Sequence, residues 1–221
     1  MGRVGQTMTC KPDKGFTLLE LIVVITVLGI LVGTAIPLAG AAAHADGRQE
    51  ALAELDEISA ALDAYWFDNA SFPASLSAND FLSTYLQAGP QNTSIYDPFG
   101  KQLYQYSVDT GTNVATIYSI GEDRVDSGSG SEEYVVEVYA AVPGLKKTWQ
   151  RLRIIVEVLA EHIESGGSVA GDWSSLRALM GLGASFDEDG FATTLQWASA
   201  SHTLTSAGPD RVFGTADDIT L

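Results

Sequence analysis

With 221 residues and 28 Asp and Glu against 12 Lys and Arg, the chain carries a formal charge of −16. Such acidity argues against nucleic acid and against an anionic lipid surface as partners, and suits a solvated exported domain or one whose carboxylates take up a cation. The length leaves room for one membrane helix and one or two small soluble domains. The single cysteine, Cys10, precedes a long apolar run; the rest of the chain has no disulfide, so some other staple, a metal among them, becomes attractive.

Lys11 and Lys14 lead into Gly15-Phe16-Thr17-Leu18-Leu19-Glu20, and from Leu21 no charge appears until Asp46. A positively charged leader followed by a bilayer-length apolar run means membrane targeting. Glu20 stands inside that run, where a charge costs roughly 2.5–3.5 kcal/mol on insertion scales and therefore marks a function. An ordinary secretory signal with a cleavage site at Ala43-His44-Ala45, or a plain signal anchor, are the competing readings. The first is disfavoured because the run exceeds the usual h-region and contains Glu20; for the second, the early glutamate is only a cost.

The Gly-Phe-Thr-Leu-x-Glu arrangement resembles the class III signal of type IV pilins and type II secretion pseudopilins. The resemblance implies cleavage by prepilin peptidase between Gly15 and Phe16, methylation of the new Phe16 N-terminus, and a role for Glu20 in assembly. Gly29 and Pro37 fall where the family has its helix-softening glycine and proline. The charge logic agrees: a Phe16 amine in the apolar phase needs a counter-charge, and Glu20 of a neighbouring subunit supplies it, since buried charges that pair cost far less than charges left alone.

Residues from Phe16 to about Tyr65 read as one long helix, with a kink or local melting expected between Gly33 and Pro37. Beyond the membrane half, Leu52, Leu55, Ile58, Leu62 and Tyr65 recur at three- and four-residue steps, an amphipathic stripe. Pro73 ends the pattern. Tyr96-Asp97-Pro98-Phe99-Gly100 is a turn signal, and Leu103, Tyr104 and Tyr106, then Val114, Ile117, Tyr118 and Ile120, read as short strands. Helix, loop and antiparallel sheet is the order of a pilin head. The Asp97–Gly100 turn is similar to the Asp-Pro-Trp-Gly signature of the major, G-type pseudopilin.

The pattern then repeats. Pro143-Gly144 breaks the chain, and Lys146 to Glu164 reads as a second helix with Leu152, Val156, Leu159 and Ile163 on one face. Phe186–Gly190 corresponds to Tyr96–Gly100, Leu195-Gln196-Trp197 to Tyr104-Gln105-Tyr106, and Ala207–Val212 to Ile120–Val125. The reading is a tandem duplication of the head, against the alternative of two unrelated α+β segments. The expected fold is α+β and pilin-like: a leader at 1–15, a transmembrane or filament-core helix at 16–39, a first head at 40–142 and a second at 143–221.

The stretch from Ala207 to Ile219 places Asp210, Asp217 and Asp218 around a glycine turn, hard oxygen donors of the kind Ca²⁺ takes six to eight of, though not with EF-hand spacing. It resembles the calcium loop of the major pseudopilin. That resemblance implies ligation by Asp210, Asp217 and Asp218 with the carbonyls of Ala207, Val212 and Thr215, and an outward-pointing Arg211. A solvated acidic turn is the alternative. In the first head Asp123, Asp126, Glu132 and Glu133 form a weaker candidate, because Asp126–Ser131 lengthens the loop and glutamates replace the paired aspartates.

No phosphate loop, cysteine-rich metal cluster, His-x-x-x-His pair or nucleophile elbow occurs, so no enzyme is expected. His44 belongs near the membrane surface, while His162 and His202 read as ordinary helix and strand residues. Trp66, Trp149, Trp173 and Trp197 read as core aromatics. The resemblance implies a structural subunit, self-associating with other pseudopilins or pilins on an inner-membrane assembly platform. It would be single-pass in the inner membrane with its heads in the periplasm. A minor pilin at a filament tip and a secreted calcium-binding protein released after Ala45 are the alternatives.

Overall fold

The computed structural model describes residues 18–221 except 87–93, 131–133 and 170, and excludes the side chains of 33–44. It divides into two units, one ending at Asp46 and the other Gly47–Leu221. Helix α1, Leu18–Asn69, enters both, and its helical backbone passes through Gly33 and Pro37 without the expected melting. Among the described residues no helix is long and apolar enough to cross a membrane; the expected span at 16–39 lies partly outside them.

Within Gly47–Leu221 the last turns of α1 bury Ala51, Leu55, Ile58 and Leu62. The stripe runs through Ala51 rather than Leu52, which stays 47% exposed, because the i, i+4, i+7, i+11 phase that includes Leu55, Ile58 and Leu62 starts one residue earlier. A short helix α2, Asn79–Phe81, runs into a π turn, Leu82–Leu86, and contributes Phe81 and Leu86 to this core. Three antiparallel strands cover it: β1 Gln105–Asp109, β2 Val114–Tyr118 and β3 Val135–Tyr139, in the order β1-β2-β3. In β2 the inward positions Ala115 and Ile117 are buried, the period of two that one packed face requires. The third strand, a Val-rich run after the acidic loop, was not anticipated from sequence.

One residue, Ala140, joins β3 to helix α3, Ala141–Glu164. Pro143-Gly144 does not break the chain there. Pro143 sits in the first helical turn, where its missing N–H has no intrahelical partner to lose. Helix α4, Trp173–Leu179, follows, capped by Asp172, whose carboxylate accepts from Ser175 N at 2.9 Å. A second sheet, β4 Gln196–Ala198, β5 Thr203–Ser206 and β6 Ile219–Thr220, has the same antiparallel order as the first. Its core is Leu152, Ile155, Trp173, Leu176, Leu195 and Leu204. Val156 and Ile163, read on one face with Leu152 and Leu159, are exposed; α3 carries two apolar faces and the sheet takes the one through Thr148, Leu152 and Ile155. Trp149 is likewise exposed rather than core, Trp197 is half-buried, and Trp66 and Trp173 are buried.

Each sheet is tied to the loop before it by a buried aspartate. Asp97 accepts from Phe99 N at 2.9 Å with one oxygen, and from Ser119 Oγ and Ile120 N, both at 2.8 Å, with the other. Asp189 accepts from Phe191 N and Thr193 N, both at 2.9 Å, and from Ser206 Oγ at 2.7 Å. Ser119 and Ser206 each receive the N–H of the next-but-one glycine, Gly121 at 3.0 Å and Gly208 at 3.2 Å. The counterpart of Asp97 is therefore Asp189 and not Asp187, which instead pairs with Arg177 at 2.6 Å. In both places a phenylalanine two residues after the aspartate lies against a helix glycine. A Cβ on Gly47 would stand 3.2 Å from Phe99, and one on Gly144 would stand 2.2 Å from Phe191. A Cβ on Gly190 would come within 1.9 Å of the Gly144 carbonyl, so the second contact requires glycine on both sides.

Asp97→Ala and Asp189→Ala each strand three donors; at about 1–3 kcal/mol per orphaned buried group, a loss of about 3 kcal/mol or more is expected. Chemical denaturation of the detergent-purified chain measures it, with Asp187→Ala as the milder control; equal effects at 187 and 189 would refute the assignment.

Candidate functional site

Of the processing and assembly residues, Gly15 and Phe16 lie outside the described residues, and Glu20 falls in the first turn of α1 with its side chain exposed.

The loop between β5 and β6 is built by its own acidic side chains. Asp210 turns its carboxylate onto Val212 N at 2.8 Å, which holds Arg211 at φ 60°. Asp217 reaches across the loop, accepting from Asp210 N at 3.1 Å through Oδ2 and from Thr215 Oγ1 at 2.6 Å through Oδ1. Asp218 accepts from Gly214 N at 2.7 Å through Oδ2, while its Oδ1 is buried without a hydrogen-bond partner. Thr215 Oγ1 also lies 3.0 Å from the Val212 carbonyl. The two ends meet at Gly208, φ 67°, where a Cβ would stand 2.3 Å from the Asp217 carbonyl oxygen and 3.0 Å from its Oδ2.

Asp210, Asp217 and Asp218 thus share one loop, but their carboxylates are spent largely on main-chain amides. Among the described residues no group of three or more His, Cys, Asp or Glu side chains is gathered to hold a metal ion. The donor chemistry still fits Ca²⁺: hard oxygens throughout, with one buried carboxylate oxygen lacking any partner. Arg211 is exposed, and its guanidinium lies 5.9 Å from the centre of the buried Trp66 ring of α1. Sequence reasoning had no signal for that contact, since the two residues lie far apart along the chain.

In the first head, Val125 N and Gly128 N each donate to an aspartate two residues back, Asp123 and Asp126, both at 3.0 Å. Asp126 Oδ1 also takes the Tyr118 hydroxyl at 3.1 Å. Arg124, φ 60°, repeats the conformation of Arg211. Glu132 and Glu133 lie outside the described residues.

Two family models match the chain: the prokaryotic N-terminal methylation motif over residues 10–36, and type II secretion system protein G over residues 39–138. The type II secretion system core protein G of Vibrio cholerae is 32% identical over 131 residues, covering 55% of this chain and 88% of that relative. Its Pseudomonas aeruginosa counterpart is 30% identical over 135 residues, 57% and 94%. The Klebsiella pneumoniae protein is 33% identical over 124 residues, 51% and 87%. No solved structure matches. The chain is a pseudopilin, with the helix-and-antiparallel-sheet architecture of that class, and belongs to the type II secretion protein G family. Its last portion, from α3 onward, lies beyond the matched family model.

The hydroxyl of Thr215, and after it the amide of Asp210, hold the Asp217 carboxyl below the usual aspartate range. A depressed folded-state value means stability that is present above the unfolded value and lost as pH falls through the folded one. Thr215→Val should move the Asp217 midpoint upward in a carboxyl NMR titration and shift this loss to higher pH; an unmoved midpoint would assign the effect elsewhere.

Proposed function

We propose that this chain is a structural, non-enzymatic subunit of a type II secretion pseudopilus. It is cleaved after Gly15 by prepilin peptidase, methylated at Phe16, and held in the inner membrane by residues 16–39 with its folded part in the periplasm. The observation that carries the reading is the succession of the N-terminal methylation motif at 10–36 and the protein G domain at 39–138. Packing of apolar N-terminal helices joins it to other pseudopilins on the assembly platform, and Glu20 pairs with the Phe16 amine of a neighbour. Mass spectrometry of membrane-extracted protein should give an N-terminal N-methyl-Phe16. A chain beginning at Asp46, or one retaining Met1, would overturn the reading.

The second sheet is, on this proposal, a copy of the first head that has lost the membrane segment. The matching aspartate, serine, glycine and phenylalanine contacts support it. The second head also takes Ca²⁺ through Asp210, Asp217 and Asp218 with the carbonyls of Ala207, Val212 and Thr215. Bound there, the ion would satisfy the stranded Asp218 oxygen. The proposal does not extend to the first loop, where Asp126 holds Tyr118. Binding to the folded state alone stabilises by about 2.7 kcal/mol at a hundredfold excess over Kd. The melting temperature of the detergent-purified chain should therefore rise with Ca²⁺ and fall with chelator, and Asp217→Ala should abolish the difference. Indifference of the unsubstituted chain to Ca²⁺ would make this a solvated acidic turn.

A further inference from the structure

Among the described residues the second apolar face of α3 has no partner. Val142, Trp149, Val156 and Ile163 follow one another at seven-residue intervals and are 64%, 53%, 44% and 50% exposed. Seven-residue spacing keeps one side chain per two turns on a single seam, the pattern that packs against another helix. The seam runs about 32 Å along α3. At its start it borders a groove of about 520 Å³ floored by Ala60, Ala64 and Phe67 of α1. At its end it borders an apolar hollow of about 210 Å³ between Leu159, Ile163, Trp197 and Leu221. The second depression extends the apolar surface that a partner helix would cover, while the first also carries Asp63 and Asp68 beside Lys146.

The charges beside the seam indicate which helix that is. Lys146 lies exposed in the first half of α3 with Lys147 and Arg151 half-buried near it, and Glu157, Glu161 and Glu164 lie exposed in the second. Cations toward the N-terminus and anions toward the C-terminus run against the helix dipole, so the order is unfavourable for a helix standing alone. It becomes favourable beside a helix of the same sequence running the other way, where each basic half meets an acidic half and the dipoles oppose.

We propose that α3 pairs antiparallel, about a two-fold axis, with α3 of a second copy of this chain. Trp149 of one copy meets Val156 of the other, Val142 meets Ile163, and Lys146 faces Glu157 and Glu161. The axis passes beside Arg153, where the two guanidinium groups are each already engaged by Glu157 of their own helix, at 3.4 Å. A two-fold contact closes on itself and gives a pair; it is independent of the contacts that would build a filament.

The position of the axis makes the test sharp. In the full chain purified in detergent, with Cys10→Ser removing the native thiol, Arg153→Cys should give a disulfide-linked dimer under mild oxidation. Val142→Cys alone should stay monomeric on denaturing gels, and an equal mixture of Val142→Cys and Ile163→Cys chains should cross-link. Trp149→Glu should leave the melting temperature within a few degrees, since the side chain is exposed, yet shift the protein to monomer in sedimentation. Absence of the Arg153→Cys dimer, or self-linkage of Val142→Cys, would overturn the antiparallel pair. So would an unsubstituted chain that sediments as a monomer, or loss of binding to a different protein as the only effect of Trp149→Glu. Incorporation into filaments, assayed in parallel, reports separately on the proposed function.

Discussion

A buried carboxylate that accepts three hydrogen bonds holds each half of the Gly47–Leu221 unit to its sheet. Asp97 and Asp189 each join a tight turn to the end of the strand that leads into an acidic loop. A charge so deeply buried is tolerable only when every donor is in place, which fixes the turn, the strand end and the phenylalanine between them at once. Phe99 and Phe191 are then delivered to a helix glycine, and the helix is seated on its sheet. The acidic loops begin where this arrangement ends, at Gly121 and Gly208, so their starting geometry is set by the aspartate as well.

The same helix-to-sheet construction uses opposite chemistry in its two versions. On α1, Glu54 receives the hydroxyl of the buried Tyr104 at 2.7 Å, and burial pushes the glutamate's carboxyl above the usual range against the pull of that bond. On α3, Arg151 donates to the carbonyls of Glu188 and Asp189, both at 2.7 Å. A glutamate satisfied by the residue before β1 and an arginine satisfied by a turn each stand seven residues after the helix glycine that meets a phenylalanine.

Much of this was legible in the chain itself. The motif from Gly15 to Glu20 is specific because it combines a cleavage site, a charge at membrane depth and an apolar run of fixed placement. The first sheet could be read in part from alternation, although β3 escaped notice behind the extended loop at Asp126–Ser131. The errors have physical causes. Asp187 and Asp189 both offer a turn aspartate, and only burial selects Asp189. On α3 two apolar stripes share one helix, and periodicity groups Leu152, Val156, Leu159 and Ile163 without saying which of them meet the sheet. In the C-terminal loop the acidic residues were identified, but sequence could not show that each carboxylate already serves a backbone amide.

Between the last residue of β3 and the first of α3 stands Ala140 alone, buried with Trp66 and Phe191 and bonded through its N–H to the Asn113 carbonyl at 3.0 Å. A single residue with both neighbours in regular structure offers no slack. Lys147 adds a tether from α3 to the Asp68 carbonyl of α1 at 3.1 Å, and Arg211 lies over the Trp66 ring. A pull on the second sheet would therefore be borne by α1 through side-chain packing before any connecting chain could pay out. Tension and bending would pass between the halves as they do through a welded bracket rather than a hinged arm.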